Sequence, residues 1–131
     1  MWKQWLRQSR YILFFSLLSP IMVLADYQGE LAQAEAQKWL RQGLITAIDV
    51  RTPEEYSQGH VPGAINVPHD RIQQQLDKIE HLKHQPILIY CRSGRRAALA
   101  EATLSQLGFE TIYHLQGDMN AWKKNRLPVT Q

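Results

Sequence analysis

Residues 86–108, PILIYCRSGRRAALAEATLSQLG, change from an apolar run to a short basic loop and then to a helical pattern. The run PILIY is short and continuously apolar, which is typical of a buried strand. After the loop, apolar residues recur at the spacing of one helix face, and Gly108 follows as a stop signal; these residues are Ala97, Ala100, Leu104 and Leu107. The stretch predicts a strand, a loop and a helix in direct succession, with Cys91 at the first junction.

The same alternation continues on both sides of this stretch. Apolar runs predict further strands at LITAIDV (44–50), AINV (64–67) and TIYHL (111–115). Helical patterns are predicted at residues 31–43, at PEEY (53–56), around Ile72, Leu76 and Ile79, and at NAWKK (120–124). Strands that alternate with helices favour an α/β fold in which a central parallel sheet carries helices on both faces.

Cys91, the one cysteine of the chain, falls where this architecture places ligand sites. Ligands bind beyond the carboxyl ends of parallel strands, and Cys91 directly follows PILIY. A turn at Gly94 that leads into a helix can direct backbone N–H groups at the sulfur and at an adjacent anion. Three arginines, Arg92, Arg95 and Arg96, add positive charge that favours the thiolate. The expected site is a nucleophile that attacks a small anion carrying an electrophilic atom.

The first 25 residues have the pattern of a secretory signal peptide. Residues 1–10 carry three basic residues and no acidic one, and residues 11–25 carry no charge. This uncharged stretch is shorter than the roughly 20 residues that span a bilayer, and it ends in small residues. We therefore predict cleavage after Ala25, a mature domain at 26–131, a periplasmic location and no stable membrane association after cleavage. Retention as an uncleaved anchor is the alternative.

The excess positive charge belongs to that N-terminal segment. The chain has 15 basic and 12 acidic residues, and removal of the first 25 leaves equal numbers. A neutral domain gives no support for a nucleic-acid partner. The length of 131 residues has room for one domain of ordinary size. Because a single cysteine cannot form an internal disulfide, the thiol of an exported chain is a reactive group, part of an intermolecular bridge, or a buried, inert group.

Two ordered motifs resemble the rhodanese family, and the resemblance covers residues 30–129. The motifs are DVRTPEEYSQGHVPGAINVP (49–68) and ILIYCRSGRRAALA (87–100), and the family's closing L-x-G…AW…P-V pattern follows them. Ala97 stands where a serine is common, and Asp118 follows Gly117 where a second glycine is usual. With its N-terminal segment, the chain is similar to the small single-domain periplasmic rhodaneses of the phage-shock-protein E type.

The resemblance implies a rhodanese-like α/β sandwich and sulfur transfer through an enzyme persulfide. It makes Cys91 the sulfur carrier, and it assigns substrate binding to the loop Arg92, Ser93, Gly94, Arg95 and Arg96. The implied donor is thiosulfate or a similar small anion. The implied acceptor is cyanide or a thiol, which includes a thioredoxin-like protein. This chemistry requires no metal and no organic cofactor.

Two other functions are alternatives. The first is a non-catalytic sulfur carrier or interaction module with the same loop. The second is a phosphatase or arsenate reductase of related fold, whose loop places its arginine six positions after the cysteine; here Arg96 is five positions after Cys91. The shorter loop suits a sulfur atom better than a tetrahedral phosphate.

The remaining conspicuous residues have structural interpretations. His60 is expected to make a structural hydrogen bond, and His69, His81, His84 and His114 lack metal-ligand spacing and are expected at the surface or in the core. We expect Asp49, Arg51 and Glu55 to form ion pairs at the neighbouring strand end, and Trp39 and Trp122 to belong to the core.

Overall fold

The computed structural model describes residues 27–131. The predicted signal peptide at residues 1–25 lies outside the described residues. Within residues 27–131, no helix is long and apolar enough to cross a membrane.

A five-stranded sheet forms the centre of the described chain. Its strands are β1 (Tyr27–Leu31), β2 (Thr46–Asp49), β3 (Ile65–Asn66), β4 (Pro86–Tyr90) and β5 (Thr111–Leu115). The strands are parallel and lie in the order β1-β5-β4-β2-β3. The sheet thus places β4, the strand that leads to Cys91, in its centre, with β5 on one side and β2 on the other.

Helices cover both faces of this sheet. They are α1 (Gln33–Arg41), α2 (Pro53–Ser57), α3 (Arg95–Gln106) and α4 (Asp118–Lys124). Because side chains alternate along a strand, β4 contributes Ile87 and Ile89 to a core that contains Ala97 and Leu104 of α3. On the opposite face, Leu88 and Tyr90 belong to a core with residues of α1 and α4, among them Ala36 and the fully buried Trp122. The predicted α/β fold with a parallel sheet and helices on both faces is confirmed.

One predicted helix is wrong. The apolar residues Ile72, Leu76 and Ile79 do not lie on an α-helix; the segment forms two short 3₁₀ turns, Leu76–Lys78 and Glu80–Leu82. Successive turns with hydrogen bonds from residue i+3 to residue i bury Ile72 and Ile79 as completely as a helix would. Helical spacing of apolar residues therefore indicated the buried positions but not the backbone conformation.

The strand β1 was not predicted. Its sequence, YQGEL, is mostly polar, and only Leu31 is buried. The strand lies at the sheet edge beside β5, with an irregular register at Gly29, where the backbone has φ +101°. An edge strand needs few apolar side chains because its backbone hydrogen bonds to one neighbour hold it in place. The predicted first helix accordingly begins later than expected, at Gln33.

Candidate active site

Cys91 lies immediately beyond β4, and its side chain is buried. The chain turns at Gly94, whose backbone has φ +118°, a left-handed conformation that glycine adopts without steric cost. This turn directs the Gly94 N–H to donate a hydrogen bond to Cys91 Sγ at 3.0 Å. The 12-residue helix α3 begins at the next residue, Arg95, so the positive end of its dipole is beside the sulfur. The loop therefore directs one backbone donor and the N-terminus of a helix at Cys91 Sγ.

Arg96, in the first turn of α3, is paired with Glu55 of α2. Its Nη1 and Nη2 donate to Glu55 Oε1 at 2.6 Å and Oε2 at 3.0 Å. The Arg96 hydrogen bonds lower the pKa of Glu55 to about 2, and the same bonds raise the pKa of Arg96, with smaller contributions from Cys91 and Asp49. Both side chains are about one quarter exposed, so the pair lies at the edge of the site. The sequence predicts that the Arg96 charge acts on the Cys91 sulfur, but the Glu55 carboxylate offsets much of that charge.

Asp49 and Arg51 form an ion pair at the end of β2, as the sequence predicts. Arg51 Nη2 donates to Asp49 Oδ2 at 2.6 Å and to the Gly59 carbonyl at 2.8 Å. The Tyr90 hydroxyl donates to the same Asp49 oxygen at 2.7 Å and accepts the Val61 N–H at 3.1 Å. Burial, followed by the Asp49 charge, raises the pKa of Tyr90. This cluster joins the ends of β2 and β4 beneath the loop.

A buried triad of Glu101, His114 and Asp118 lies on the other side of Cys91. Asp118 Oδ1 accepts the Cys91 backbone N–H at 2.9 Å, and Asp118 Oδ2 is 2.9 Å from His114 Nε2. Glu101 Oε1 is hydrogen-bonded to His114 Nδ1. Hydrogen bonds with Asp118 and then Glu101 outweigh burial and raise the pKa of His114 to about 10.

Sequence reasoning missed this triad. His114 is buried, which agrees with the expectation of a place at the surface or in the core. The sequence did not predict that two carboxylates would contact it. The one available signal was Asp118 in place of the second glycine, together with its spacing of four residues from His114. Glu101 contacts His114 across 13 positions of sequence, which no local pattern reveals.

A polar cleft of about 350 Å³ opens beside the loop. Its lining residues are Arg51, Glu55, Gln58, Arg92, Met119, Asn120 and Lys123. The backbone at the start of α4 is tied to the loop, since the N–H groups of residues 119 and 120 donate to the carbonyls of residues 91 and 92 at 3.0 and 3.1 Å. The cleft brings three cationic side chains and two amides to the side of the loop.

The other candidate residues are placed as follows. Arg92, Ser93 and Arg95 are exposed on the loop. His60 is buried and makes the expected structural hydrogen bond, from its Nδ1 to the Tyr56 carbonyl at 2.9 Å. Trp39 is half-buried, with Nε1 donating to a glutamate. Among residues 27–131, no group of His, Cys, Asp and Glu side chains could hold a metal ion.

A parallel sheet with helices on both faces, and a buried cysteine at a helix N-terminus, define the class: an α/β protein with a candidate thiol site at the end of its central strand. The sequence profile of the rhodanese-like domain matches residues 32–125. The chain belongs to the rhodanese-like domain family.

Known proteins similar to this chain include sulfurtransferases. A sulfurtransferase of Allochromatium vinosum is 36% identical over 85 residues, which cover 65% of this chain and 78% of that protein. The thiosulfate sulfurtransferase PspE of Escherichia coli is 36% identical over 70 residues, or 53% of this chain and 67% of that protein. The crystal structure of a rhodanese-related protein from Thermoplasma volcanium matches with a TM-score of 0.67 and 26% identity, covering 77% of this chain and 96% of that one. The family and these relatives support sulfur transfer as the general activity.

Proposed function

We propose that the protein is a thiosulfate sulfurtransferase that carries sulfur as a persulfide on Cys91. The observation that carries this proposal is the hydrogen bond from the Gly94 N–H to the buried Cys91 Sγ. A buried thiolate needs donors in place of water, and the same amide can stabilise the anionic outer sulfur of a persulfide. The names of the two sulfurtransferase relatives support the same chemistry.

The reaction proceeds in two displacements at sulfur. The Cys91 thiolate attacks the outer sulfur of thiosulfate, the sulfur–sulfur bond of the donor breaks, and sulfite leaves with the bonding electron pair. Cyanide or a thiolate acceptor then attacks the outer sulfur of the persulfide. The product leaves as thiocyanate or as a new persulfide, and the Cys91 thiolate is restored. No proton is transferred in either step when the acceptor is cyanide, so a general base is not required.

The cleft beside the loop suits an anionic donor. Arg92 and Lys123 supply positive charge, and Asn120 supplies an amide. Glu55 lines the cleft but is held by Arg96, which limits its repulsion of an incoming anion. We propose that thiosulfate or a similar small sulfur anion approaches Cys91 from this cleft.

We also propose that the protein acts in the periplasm after removal of residues 1–25. The charge pattern of that segment supports export, and the lone thiol is consistent with a reactive group in a compartment where structural cysteines are paired. We expect the protein isolated from its native compartment to have the mass of residues 26–131. A full-length species that stays with washed membranes would contradict it.

Turnover of thiosulfate with cyanide, measured beside turnover of an aryl phosphate, tests the proposed function. We expect sulfur transfer in the wild type and none in Cys91→Ser, with phosphate-ester hydrolysis at background in both. Efficient hydrolysis of the phosphate ester that Cys91→Ser abolishes would instead make the protein a phosphatase of this fold.

A further inference from the structure

The proposed reaction makes no use of the buried triad, although these three charged side chains lie directly beneath the loop. Glu101 is 9% exposed, His114 is 7% exposed and Asp118 is 2% exposed. Glu101 lies on α3, His114 on β5 and Asp118 at the start of α4. Burial of three charged groups costs free energy unless each is paired, so the arrangement calls for an explanation beyond packing.

The imidazole of His114 lies between two carboxylates. Its Nε2 is 2.9 Å from Asp118 Oδ2, and its Nδ1 is hydrogen-bonded to Glu101 Oε1. An ionised carboxylate only accepts hydrogen bonds, so both ring nitrogens must carry a proton for both contacts to be favourable. The ring is therefore an imidazolium over the neutral pH range. It offsets one of two buried negative charges and holds the Asp118 carboxylate in a fixed orientation.

Asp118 contacts the loop at two points. Its Oδ1 accepts the Cys91 N–H at 2.9 Å. Its Oδ2 lies 3.2 Å from where a Cβ on Gly94 would be, and the His114 ring lies 3.8 Å from the same position. Gly94 is the residue whose amide donates to Cys91 Sγ. One carboxylate thus accepts a hydrogen bond from the backbone of the sulfur-bearing residue and lies close to Gly94, the residue that donates to the sulfur.

The backbone of Asp118 is in an uncommon conformation. Its φ is +54°, in the left-handed region that residues other than glycine rarely adopt. The preceding Gly117 also has positive φ, at +75°. The next N–H along the chain, that of Met119, donates to the Cys91 carbonyl at 3.0 Å. A strained, buried aspartate that bonds the active-site loop indicates that its position serves the site.

We propose that the buried triad is a positioning device for the sulfur-carrying loop. His114, braced by Glu101, orients the Asp118 carboxylate, and Asp118 holds Cys91 and Gly94 so that the Gly94 amide is directed at the Cys91 sulfur. This inference rests on the proposed function, because it assigns the triad to the sulfur-transfer loop. None of the three side chains contacts the reacting sulfur, so they are positioning residues.

Other ionisable groups face the triad from β1. Tyr27 interacts electrostatically with Glu101, and burial followed by Glu101 and Glu30 raises its pKa. Glu30 is the strand partner of His114, with its own side chain exposed. Glu30 adds negative charge near the triad, while the raised pKa of His114 comes from Asp118 and Glu101.

The test measures the loop directly, by backbone amide hydrogen exchange in Asp118→Asn and His114→Gln. Loss of a charge-assisted hydrogen bond should speed exchange at the Cys91 and Gly94 amides by about tenfold or more, with the Leu88 amide of β4 little changed. His84→Gln is the matched control, since His84 pairs with Glu110 at 2.8 Å but both side chains are exposed. We expect the control to behave as the wild type. Loop amides that change no more than the Leu88 amide would overturn the proposal.

Kinetics on the same proteins separates positioning from binding. We expect kcat for thiosulfate and cyanide to fall about tenfold in both triad variants, with KM for thiosulfate changed by less than about twofold, because the donor contacts other residues. A loss confined to KM would contradict a positioning role. If the wild type shows no turnover but the loop amides exchange faster in the triad variants, sulfur transfer is refuted and the positioning is supported. If the wild type is active but the loop amides exchange equally in the variants, the positioning alone is refuted.

The wild type supplies a further measurement that needs no variant. If the triad is as described, nitrogen spectra of the His114 ring at about pH 8 should show both ring nitrogens protonated, since the pKa of His114 is raised to about 10. A neutral ring at that pH would remove the cation that orients Asp118 and would overturn the proposal even if a variant failed to fold.

Discussion

At the scale of single residues, the sulfur-transfer role proposed for Cys91 depends on groups fixed by the loop. Cys91 is 1% exposed and its sulfur accepts the Gly94 N–H, so a thiolate at this position would receive little stabilisation from water. The dipole of α3 and the nearby cations must supply that stabilisation. Among those cations, Arg96 is shared with Glu55.

This sharing predicts opposite effects of two substitutions. Arg96→Ala removes a cation near the sulfur and leaves Glu55 without its cationic partner, so we expect kcat/KM for thiosulfate to fall by about tenfold while the persulfide still forms. Glu55→Gln frees the Arg96 charge, so we expect KM for thiosulfate to fall. Because the pair is partly exposed, each change should alter the free energy of unfolding by less than about 1 kcal/mol. Steady-state kinetics with thiosulfate would test both, and a fall of kcat/KM in Glu55→Gln would contradict the shared-charge account.

Contacts among the candidate site residues could be predicted from sequence where the partners are local. Cys91, Gly94 and the arginines stand within six consecutive positions, and the structure places Gly94 against the sulfur as their order suggests. The Asp118 contact with Cys91 spans 27 positions, and the Arg96 contact with Glu55 spans 41. Such contacts follow from the order of strands in the sheet, which periodicity does not specify.

At the scale of elements, the site is held by strand ends that polar clusters join. Tyr90 ends β4, and its hydroxyl connects Asp49 of β2 with the Val61 N–H. The ring is fully buried. The cluster and the buried triad lie on opposite sides of Cys91 and together fix the frame from which the loop departs.

Removal of that hydroxyl should destabilise the protein. Tyr90→Phe leaves the buried Asp49 oxygen and the Val61 N–H each without one partner, so we expect the free energy of unfolding to fall by about 1–3 kcal/mol. Tyr113→Phe is the control. Its ring packs edge-on against Trp39, and its hydroxyl makes no hydrogen bond within residues 27–131. Denaturant unfolding would measure both. Equal effects of the two substitutions would contradict the role of the Tyr90 hydroxyl.

Elements with strong local patterns could be predicted, and those without them could not. The strand PILIY and the helix α3 have continuous apolar character and clear helical spacing, and both were located correctly. The polar edge strand β1 has no such pattern, and the 3₁₀ turns near Ile79 bury apolar residues at a spacing that a helix shares. Tertiary packing decided these elements.

At the scale of the whole molecule, two apolar cores on the faces of one sheet stabilise the fold, and buried charges make that stability depend on pH. The raised pKa of His114 means that its ionised form is favoured in the folded state relative to the unfolded state. The contribution is present in full below about pH 6.5, the ordinary histidine value, and is lost as the pH rises through about 10.

The stability of the wild type should therefore fall between about pH 7 and pH 10 more steeply than that of His114→Gln. Denaturant unfolding at several pH values would measure the free energy of unfolding of both proteins. Tyrosines and lysines common to both affect each protein equally, so their ionisation cancels in the difference between the two values. His84→Gln should follow the wild type because His84 is exposed. Parallel curves for the wild type and His114→Gln would show that His114 does not gain its proton on folding.

The central claim is that Cys91 carries the transferred sulfur, and the mass of the intact protein tests it most directly. After thiosulfate, the wild type should gain the mass of one sulfur atom, and cyanide should remove it. Cys91→Ser should gain nothing under the same treatment. A wild-type mass unchanged by thiosulfate, or an equal gain in Cys91→Ser, would contradict the account.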